Sequence, residues 1–362
     1  MFLKTTRRQL LEFTFKRGLG VAALAQLPFI QNLAAEIDRT TAKDNRTLNI
    51  LTYINHNNHN RFLTSFYGDF SSLIHDLTKG GLKINFLTLS EAGLVATDVK
   101  NPFLLKDIDG FHLASSFLNT IIPGSSLFTE VSELNEDPNN KSHIAPEFLA
   151  EWQKVLSTHN LTWHPFGFAE SCGLWSKKPI GSLADLQALK IRTHGIALEA
   201  ITELGGKATY GQFTRRVDSF KSEEYDAMEG LMPYFDYSMG FPEIAKNYYQ
   251  GSWPRRNTQM GIFLKKENLA NVPSSMQNLL AGAFTSYNDQ SVRKTQLTNL
   301  LGKSALKMSG VKIQSLPVEV EKALTEKKIL ALKAELNKTA QTKTLSQLLE
   351  KRLLFNAKSA TA

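Results

Sequence analysis

Two rhythms of apolar spacing organise the start of the chain. Leu48–Ile54 (LNILTYI) has strand composition, whereas Phe62, Phe66, Phe70, Leu73, Ile74 and Leu77 recur at three- and four-residue intervals. The second pattern predicts an amphipathic helix over Arg61–Leu77. Gly80-Gly81 stops that helix, and Lys83–Thr88 (KINFLT) predicts a second strand. A strand–helix–strand opening argues for a parallel sheet with helices on its faces, the mark of an α/β fold.

Further on the rhythm is less regular. Phe103–Phe128 is apolar but interrupted by Gly110, Pro123 and Gly124, which predicts short helices. Ser132–His143 is rich in Asn, Asp, Glu and Ser and predicts a surface loop. Pro146–His159 places Phe148, Leu149, Trp152, Val155 and Leu156 on one helical face, and Leu161–Phe168 follows as a strand. Its proline puts that strand near an edge or a crossing point. Ser182 caps a short helix that leads into a strand, Lys190-Ile191-Arg192. Ile196, Ala200, Ile201 and Leu204 then line a helix closed by Gly205-Gly206. Met260–Leu264 predicts a strand, Val272–Tyr287 a helix and Val311–Leu316 a last strand. Helical segments from Val318 to Leu354 follow, broken near Thr339–Thr344.

At 362 residues the chain is long enough for two domains with separate cores. Apolar types make up 42% and charged types 21%, which excludes disorder and a polytopic membrane protein. The net charge of +8 changes meaning once the N-terminus is set aside. Lys4, Arg7, Arg8, Lys16 and Arg17 against Glu12 put half of that excess in residues 1–35. The remainder has no Lys/Arg run interleaved with aromatics, so no nucleic-acid partner is expected. Residues 1–35 have the layout of an export signal: a basic segment, an apolar stretch from Gly18 to Ile30, and small residues at Ala34-Ala35. That stretch is shorter than the about 20 helical residues needed to span a bilayer. Arg7-Arg8 resembles a twin-arginine signal, while Lys16-Arg17 suits an ordinary secretory one equally; a packed N-terminal helix is the other reading. Cys172 is the only cysteine, which excludes an internal disulfide and points to a small packing residue.

No G-x-S-x-G, H-E-x-x-H or glycine-rich phosphate loop occurs, so an exported hydrolase or lyase has little to stand on. The chemistry that stands out is Arg192, an arginine ending a strand that runs straight into a turn and an apolar-faced helix. Its planar donor fork suits a carboxylate; an arginine that merely ends an edge strand in water is the bland alternative. Phe166, Phe168 and Trp175 flank the expected crossing strand, as the apolar wall of a pocket or as core. The run His56-Asn57-Asn58-His59-Asn60 offers two histidines without a placed third ligand, and it equally makes a polar turn capping the next helix.

The order of signals across 173–253 resembles the solute-binding proteins of tripartite ATP-independent periplasmic (TRAP) transporters. Ser182-Leu183-Ala184-Asp185-Leu186-Gln187-Ala188-Leu189-Lys190-Ile191-Arg192 is similar to their segment before a glycine-capped helix. Tyr225-Asp226-Ala227-Met228-Glu229-Gly230, Pro233-Tyr234-Phe235-Asp236 and Gly240-Phe241 are similar to a later one. Tyr248, Tyr249 and Trp253 resemble the subgroup that binds 2-oxo or 2-hydroxy acids. At the level of element order the likeness extends from about 46 to 330.

The resemblance implies a two-lobed periplasmic binding protein fold with crossing strands and a long C-terminal helix spanning both lobes. Lobe I would comprise 36–168 and 258–300, and lobe II 169–257 and 301–362, with the ligand taken in an interlobe cleft. It implies a receptor, not an enzyme, that hands a small organic anion to TRAP-type permease subunits, as a monomer or homodimer. An accessory protein feeding a membrane sensor is the rival of the same class. By the same carry-over Arg192 clamps the ligand carboxylate. Glu229 helps hold a bridging sodium or calcium, though no cofactor is required. The sequence departs from the subgroup in three places. A tryptophan is replaced by Gly230, a glutamine is missing near Ser171 and Cys172 (Glu170 being the nearest substitute ligand), and an acidic position is taken by Arg215. Arg215 would supply the missing positive charge, bind a second acidic group on the ligand, or be a solvated helix N-terminal arginine.

Overall fold

The computed structural model describes residues 46–52, 61–94, 102–129, 144–211, 216–251 and 255–359. The expected export signal, the His56–Asn60 run, the 132–143 loop, Arg215 and Trp253 lie outside the described residues. The chain order begins β1 (Arg46–Thr52), α1 (Arg61–Leu77), β2 (Leu82–Thr88), β3 (Gly110–Ala114), α2 (Pro146–Ser157), β4 (Leu161–Cys172) and β5 (Leu174–Ser176). It continues α3 (Leu183–Ala188), β6 (Lys190–Arg192), α4 (Gly195–Glu203), β7 (Lys207–Thr209), α5 (Arg216–Lys221), β8 (Ala227–Glu229), α6 (Pro233–Ser238) and α7 (Phe241–Ile244). Then come β9 (Asn247–Tyr249), β10 (Arg255–Lys265), α8 (Lys266–Leu269), α9 (Ser274–Met308), β11 (Lys312–Gln314), α10 (Val318–Leu336) and α11 (Lys343–Ser359).

The contacts divide the chain into two compact units, one comprising Met1–His112, Asn160–Phe166 and Gly261–Ser291, the other the rest. β4, β10 and the long α9 each contribute residues to both.

The first unit is built on a five-stranded sheet ordered β2-β1-β3-β10-β4, with β1 parallel to both β2 and β3. The predicted helix α1 buries Phe66, Phe70 and Ile74 at the expected spacing. Phe66 and Phe70 close on Phe166 of β4, with ring centroids 4.8 and 4.7 Å away, and Phe284 and Tyr287 of α9 complete the aromatic core. Gly261 is obligatory here, because a Cβ at that position would lie 1.8 Å from Trp163 Nε1.

The second unit carries a six-stranded sheet ordered β11-β9-β5-β8-β6-β7. Alternation along its strands sets up two cores. Ile191, Ala227, Leu174 and Tyr249 face one way and pack under α3, α4 and α10 through Leu186, Ala197, Ile201, Val320 and Leu324. Met228, Trp175 and Tyr248 face the other way and pack with Phe220, Phe241 and Leu306. The helix α3 starts as its sequence predicts: Asp185 N–H donates to Ser182 Oγ at 3.2 Å, and Gly181 N–H donates back to Asp185 Oδ2 at 3.0 Å.

Two elements depart from the sequence reading. Phe103–Phe128 was expected to hold only short helices, yet it contains β3, whose five residues are all buried and so show no alternation. The expected helix Val272–Tyr287 continues to Met308. Past Tyr287 its buried positions mix Asn288, Ser291, Thr295 and Asn299 with Val292 and Leu306, while Leu297, Leu300 and Leu301 are exposed, which breaks the apolar stripe.

Candidate ligand-binding site

Two of the charged residues singled out in the sequence, Arg192 and Glu229, lie in the second unit at the carboxyl ends of β6 and β8. These strands are parallel neighbours, Ile191 opposite Ala227 and Arg192 opposite Met228, so both chains leave the sheet at the same edge. In open α/β sheets that edge is where ligands are held. β5 runs antiparallel on the far side of β8 with Leu174 opposite Glu229, which adds Gly173 to the same edge. Gly173 accepts from Gly230 N–H at 2.8 Å.

Arg192 and Glu229 sit one register position apart, so alternation sends their side chains to opposite faces; what they share is the edge. Both are almost fully enclosed, 4% and 2% exposed. Arg192 Nη2 donates to the carbonyl of Gly211 at 2.7 Å, in the segment leaving β7. A Cβ on Gly211 would stand 3.0 Å from Arg192 Cγ and from the Tyr225 hydroxyl, so the glycine lets that carbonyl come close.

Glu229 Oε2 accepts from Thr193 Oγ1 at 2.6 Å and lies 3.2 Å from His194 Nδ1. Thr193 is fully buried on the same face as Glu229, as the parallel register requires, and His194 is the N-cap residue of α4. The Phe117 ring stacks on the His194 ring at 6.2 Å and 26°. Two residues on, Asn119 donates to buried Glu335 on α10, and burial pushes that carboxyl above its ordinary range.

Trp175 lies one strand inward, fully buried, its indole N–H donating to Asp236 Oδ2 at 2.8 Å. Asp236 Oδ1 accepts from Leu231 N–H at 2.9 Å. This carboxylate explains Gly230, where a Cβ would come within 2.2 Å of Asp236 Oδ2. Tyr248 closes the set: its oxygen accepts from Gly173 N–H at 3.1 Å, and burial, then the charge of Asp236, holds its phenol well above the usual range.

The other predicted residues are placed elsewhere or are not described. Phe166 belongs to the first unit, where it is fully buried among Phe66, Tyr67, Phe70 and Phe284; the packing reading describes its position. Trp175 is likewise core rather than open wall. Phe168 and Glu170 lie on β4 with side chains outside the described residues, as does Arg215. Cys172 is buried. Sequence reasoning missed Thr193, His194, Gly211 and Asp236. The signal for the first two was present, since the residues that follow a strand-ending arginine occupy the same sheet edge.

Comparison with known proteins agrees with this geometry. The model of bacterial extracellular solute-binding protein family 7 matches residues 65–338. The chain belongs to that family. A monocarboxylate 2-oxoacid-binding periplasmic protein of Nostoc sp. is 25% identical over 179 residues, 48% of each chain, so the match spans about half the length of that relative. A TRAP transporter solute-binding protein from Bordetella bronchiseptica, with calcium and picolinate, superposes with a TM-score of 0.76 at 18% identity, over 87% of this chain and 94% of that one. One from Pseudoalteromonas atlantica, with sodium and pyruvate, gives 0.76 at 19%, over 88% and 97%. The fold is therefore that of the TRAP periplasmic binding proteins.

Those neighbours hold a cation, and the donor set here can be tested against one. Calcium takes six to eight oxygen ligands. Among the described residues no group of three or more His, Cys, Asp or Glu converges as a metal site. The carboxylate best placed for it, Glu229, already has one oxygen occupied by Thr193 and His194. Thr193 and His194, as donors on Glu229 Oε2, do not fit a bridging cation at that oxygen.

Proposed function

We propose that this chain is the extracytoplasmic receptor of a TRAP transporter, which captures a small organic acid (a 2-oxo, 2-hydroxy or related carboxylate) and delivers it to a membrane permease. One observation carries the reading. A buried arginine and a buried, hydrogen-bonded glutamate end neighbouring parallel strands at the carboxyl edge of one sheet, in a family 7 chain. A guanidinium in that setting offers two parallel donors to a carboxylate, and charge-assisted bonds of this kind contribute about 1.5–3 kcal/mol each. The 2-oxoacid-binding relative and the pyruvate-bound neighbour are consistent with the same ligand class. Binding requires no bond making, so the protein acts as a carrier rather than an enzyme, and no metal is needed for the step described.

The reading includes export. Residues 1–35 act as a signal of twin-arginine-like layout cleaved near Ala35, and the mature chain works in the periplasm as a monomer or homodimer. No helix among the described residues is long and apolar enough to cross a membrane.

A thermal-shift screen against small carboxylates and uncharged sugars tests the proposal. A ligand that binds only the folded state raises Tm, by about 2.7 kcal/mol of added stability at a hundred times its Kd. Carboxylates are expected to shift Tm and sugars to leave it unchanged; a panel in which only sugars register would end the organic-acid reading.

A further inference from the structure

We infer that Thr193 and His194 stand in place of the bridging cation, so that this chain captures carboxylates without calcium or sodium. The inference rests on the receptor reading above and concerns the same edge of the sheet.

The argument begins with one oxygen. A carboxylate oxygen offers two lone pairs. At Glu229 Oε2 the Thr193 hydroxyl takes one at 2.6 Å and His194 Nδ1 is placed for the other at 3.2 Å. Nδ1 carries its hydrogen there, because a ring lone pair facing a carboxylate oxygen at that distance would repel it. Two N–H and O–H donors aimed at one oxygen are the opposite of what a cation site presents, which is oxygen lone pairs converging on a point.

Position and rigidity support the assignment. Thr193 is completely buried and Glu229 is 2% exposed, so the pair is set by the register of β6 and β8. His194 keeps a quarter of its side chain exposed, and its ring is stacked by Phe117. Arg192, Thr193 and His194 are consecutive, so a single strand exit delivers the carboxylate clamp and the two donors that hold Glu229. One sequence departure agrees: the glutamine position near Ser171 and Cys172 supplies no amide oxygen, while Gly230 keeps the backbone carbonyl that the replaced tryptophan would have offered.

The experiment is a carboxylate titration of the purified, chelator-stripped protein, with pyruvate as the first probe. It is run in potassium buffer alone and with millimolar calcium or sodium added. Kd should agree within about twofold across the three buffers. His194→Ala and Thr193→Val should each weaken binding about tenfold or more in potassium buffer, because the charge they leave unmasked on Glu229 repels the ligand carboxylate. Added calcium should restore part of that affinity, because the freed oxygen can now ligate it; a merely structural role for His194 would give a loss that calcium does not repair.

Tightening of the unaltered protein by tenfold or more on adding either cation would overturn the inference, as would calcium retained stoichiometrically through chelation. Should either variant fail to fold, the comparison of buffers on the unaltered protein still decides. Absence of carboxylate binding in every buffer would bring down the receptor reading and this inference with it. Binding only with a cation would bring down this inference alone.

Discussion

The first unit's aromatic core and the second unit's sheet edge are made from similar residue types, used for different ends. In the first unit His112 leaves β3 beside Thr52 of β1, with its ring satisfied at both nitrogens. Nε2 donates to the Phe166 carbonyl at 2.8 Å, since a carbonyl can only accept, and Nδ1 of the neutral ring then accepts from the Tyr67 hydroxyl at 2.6 Å. Burial holds the Tyr67 phenol far above its ordinary range, so it stays a donor. In the second unit Thr193 and His194 hold a buried carboxylate instead, with Arg192 buried at the same sheet edge. Enclosing charge is costly unless it is paired and hydrogen-bonded, and cores do without it where packing is the only demand. The first unit's centre around Phe166 is thus aromatic, while the second unit's sheet edge encloses Arg192 and Glu229.

The contrast is broken most forcefully by exchanging which property a mutation damages. Phe166→Ala empties the centre of the aromatic cluster, and removing a buried phenylalanine costs about 3–5 kcal/mol. Denaturant unfolding should show that loss, while the protein that remains folded binds its carboxylate with nearly unchanged Kd. If affinity falls as steeply as stability, Phe166 is a ligand wall after all and the division of labour fails. Arg192→Ala should behave in the converse way. Stranding the ligand's charge costs about 2–5 kcal/mol of binding, read by calorimetric titration, whereas the midpoint of unfolding should move far less than in Phe166→Ala. A variant that binds as the unaltered protein does would remove Arg192 from the site.

These two residues also show where the sequence was legible. Arg192 was singled out because it ends a short strand that runs into a turn and an apolar-faced helix, and its ligand role came from the family resemblance. The α1 helix was read to its ends because Phe66, Phe70 and Ile74 face one core and Gly80 stops the turn. Phe166 was ambiguous because alternation says that a residue is inward, never whether the inside is protein or ligand. β3 escaped because a strand buried on both sides has no rhythm. The second half of α9 escaped because polar Asn288, Ser291, Thr295 and Asn299 interrupt its inward positions, and polarity there reports neighbours that only the fold supplies. The place of Thr193 and His194 after Arg192 was visible, but their pairing with Glu229 needed the register of β6 against β8, which no local pattern contains.

Histidine offers the finest probe of the same contrast. His164 of β4 stands in the first unit, its ring 5.1 Å from that of Phe284, and burial lowers its pKa from 6.5 to about 4. In the unfolded chain the ring takes a proton below pH 6.5, while in the folded protein it refuses one until about pH 4. The unfolded state therefore binds more protons across that window, and stability falls as pH drops through it, by at most about 3 kcal/mol from this group. The ring is only partly buried, so the realised loss should be smaller. His164→Phe keeps an aromatic ring against Phe284 and removes the titration. Melting curves between pH 7 and pH 4 should converge on this account: the unaltered protein loses Tm faster than the variant below pH 6.5, and carboxylate affinity at pH 7 is the same in both. Parallel profiles would mean that His164 reaches solvent freely, and that the first unit's interior is less closed to charge than its aromatic packing implies.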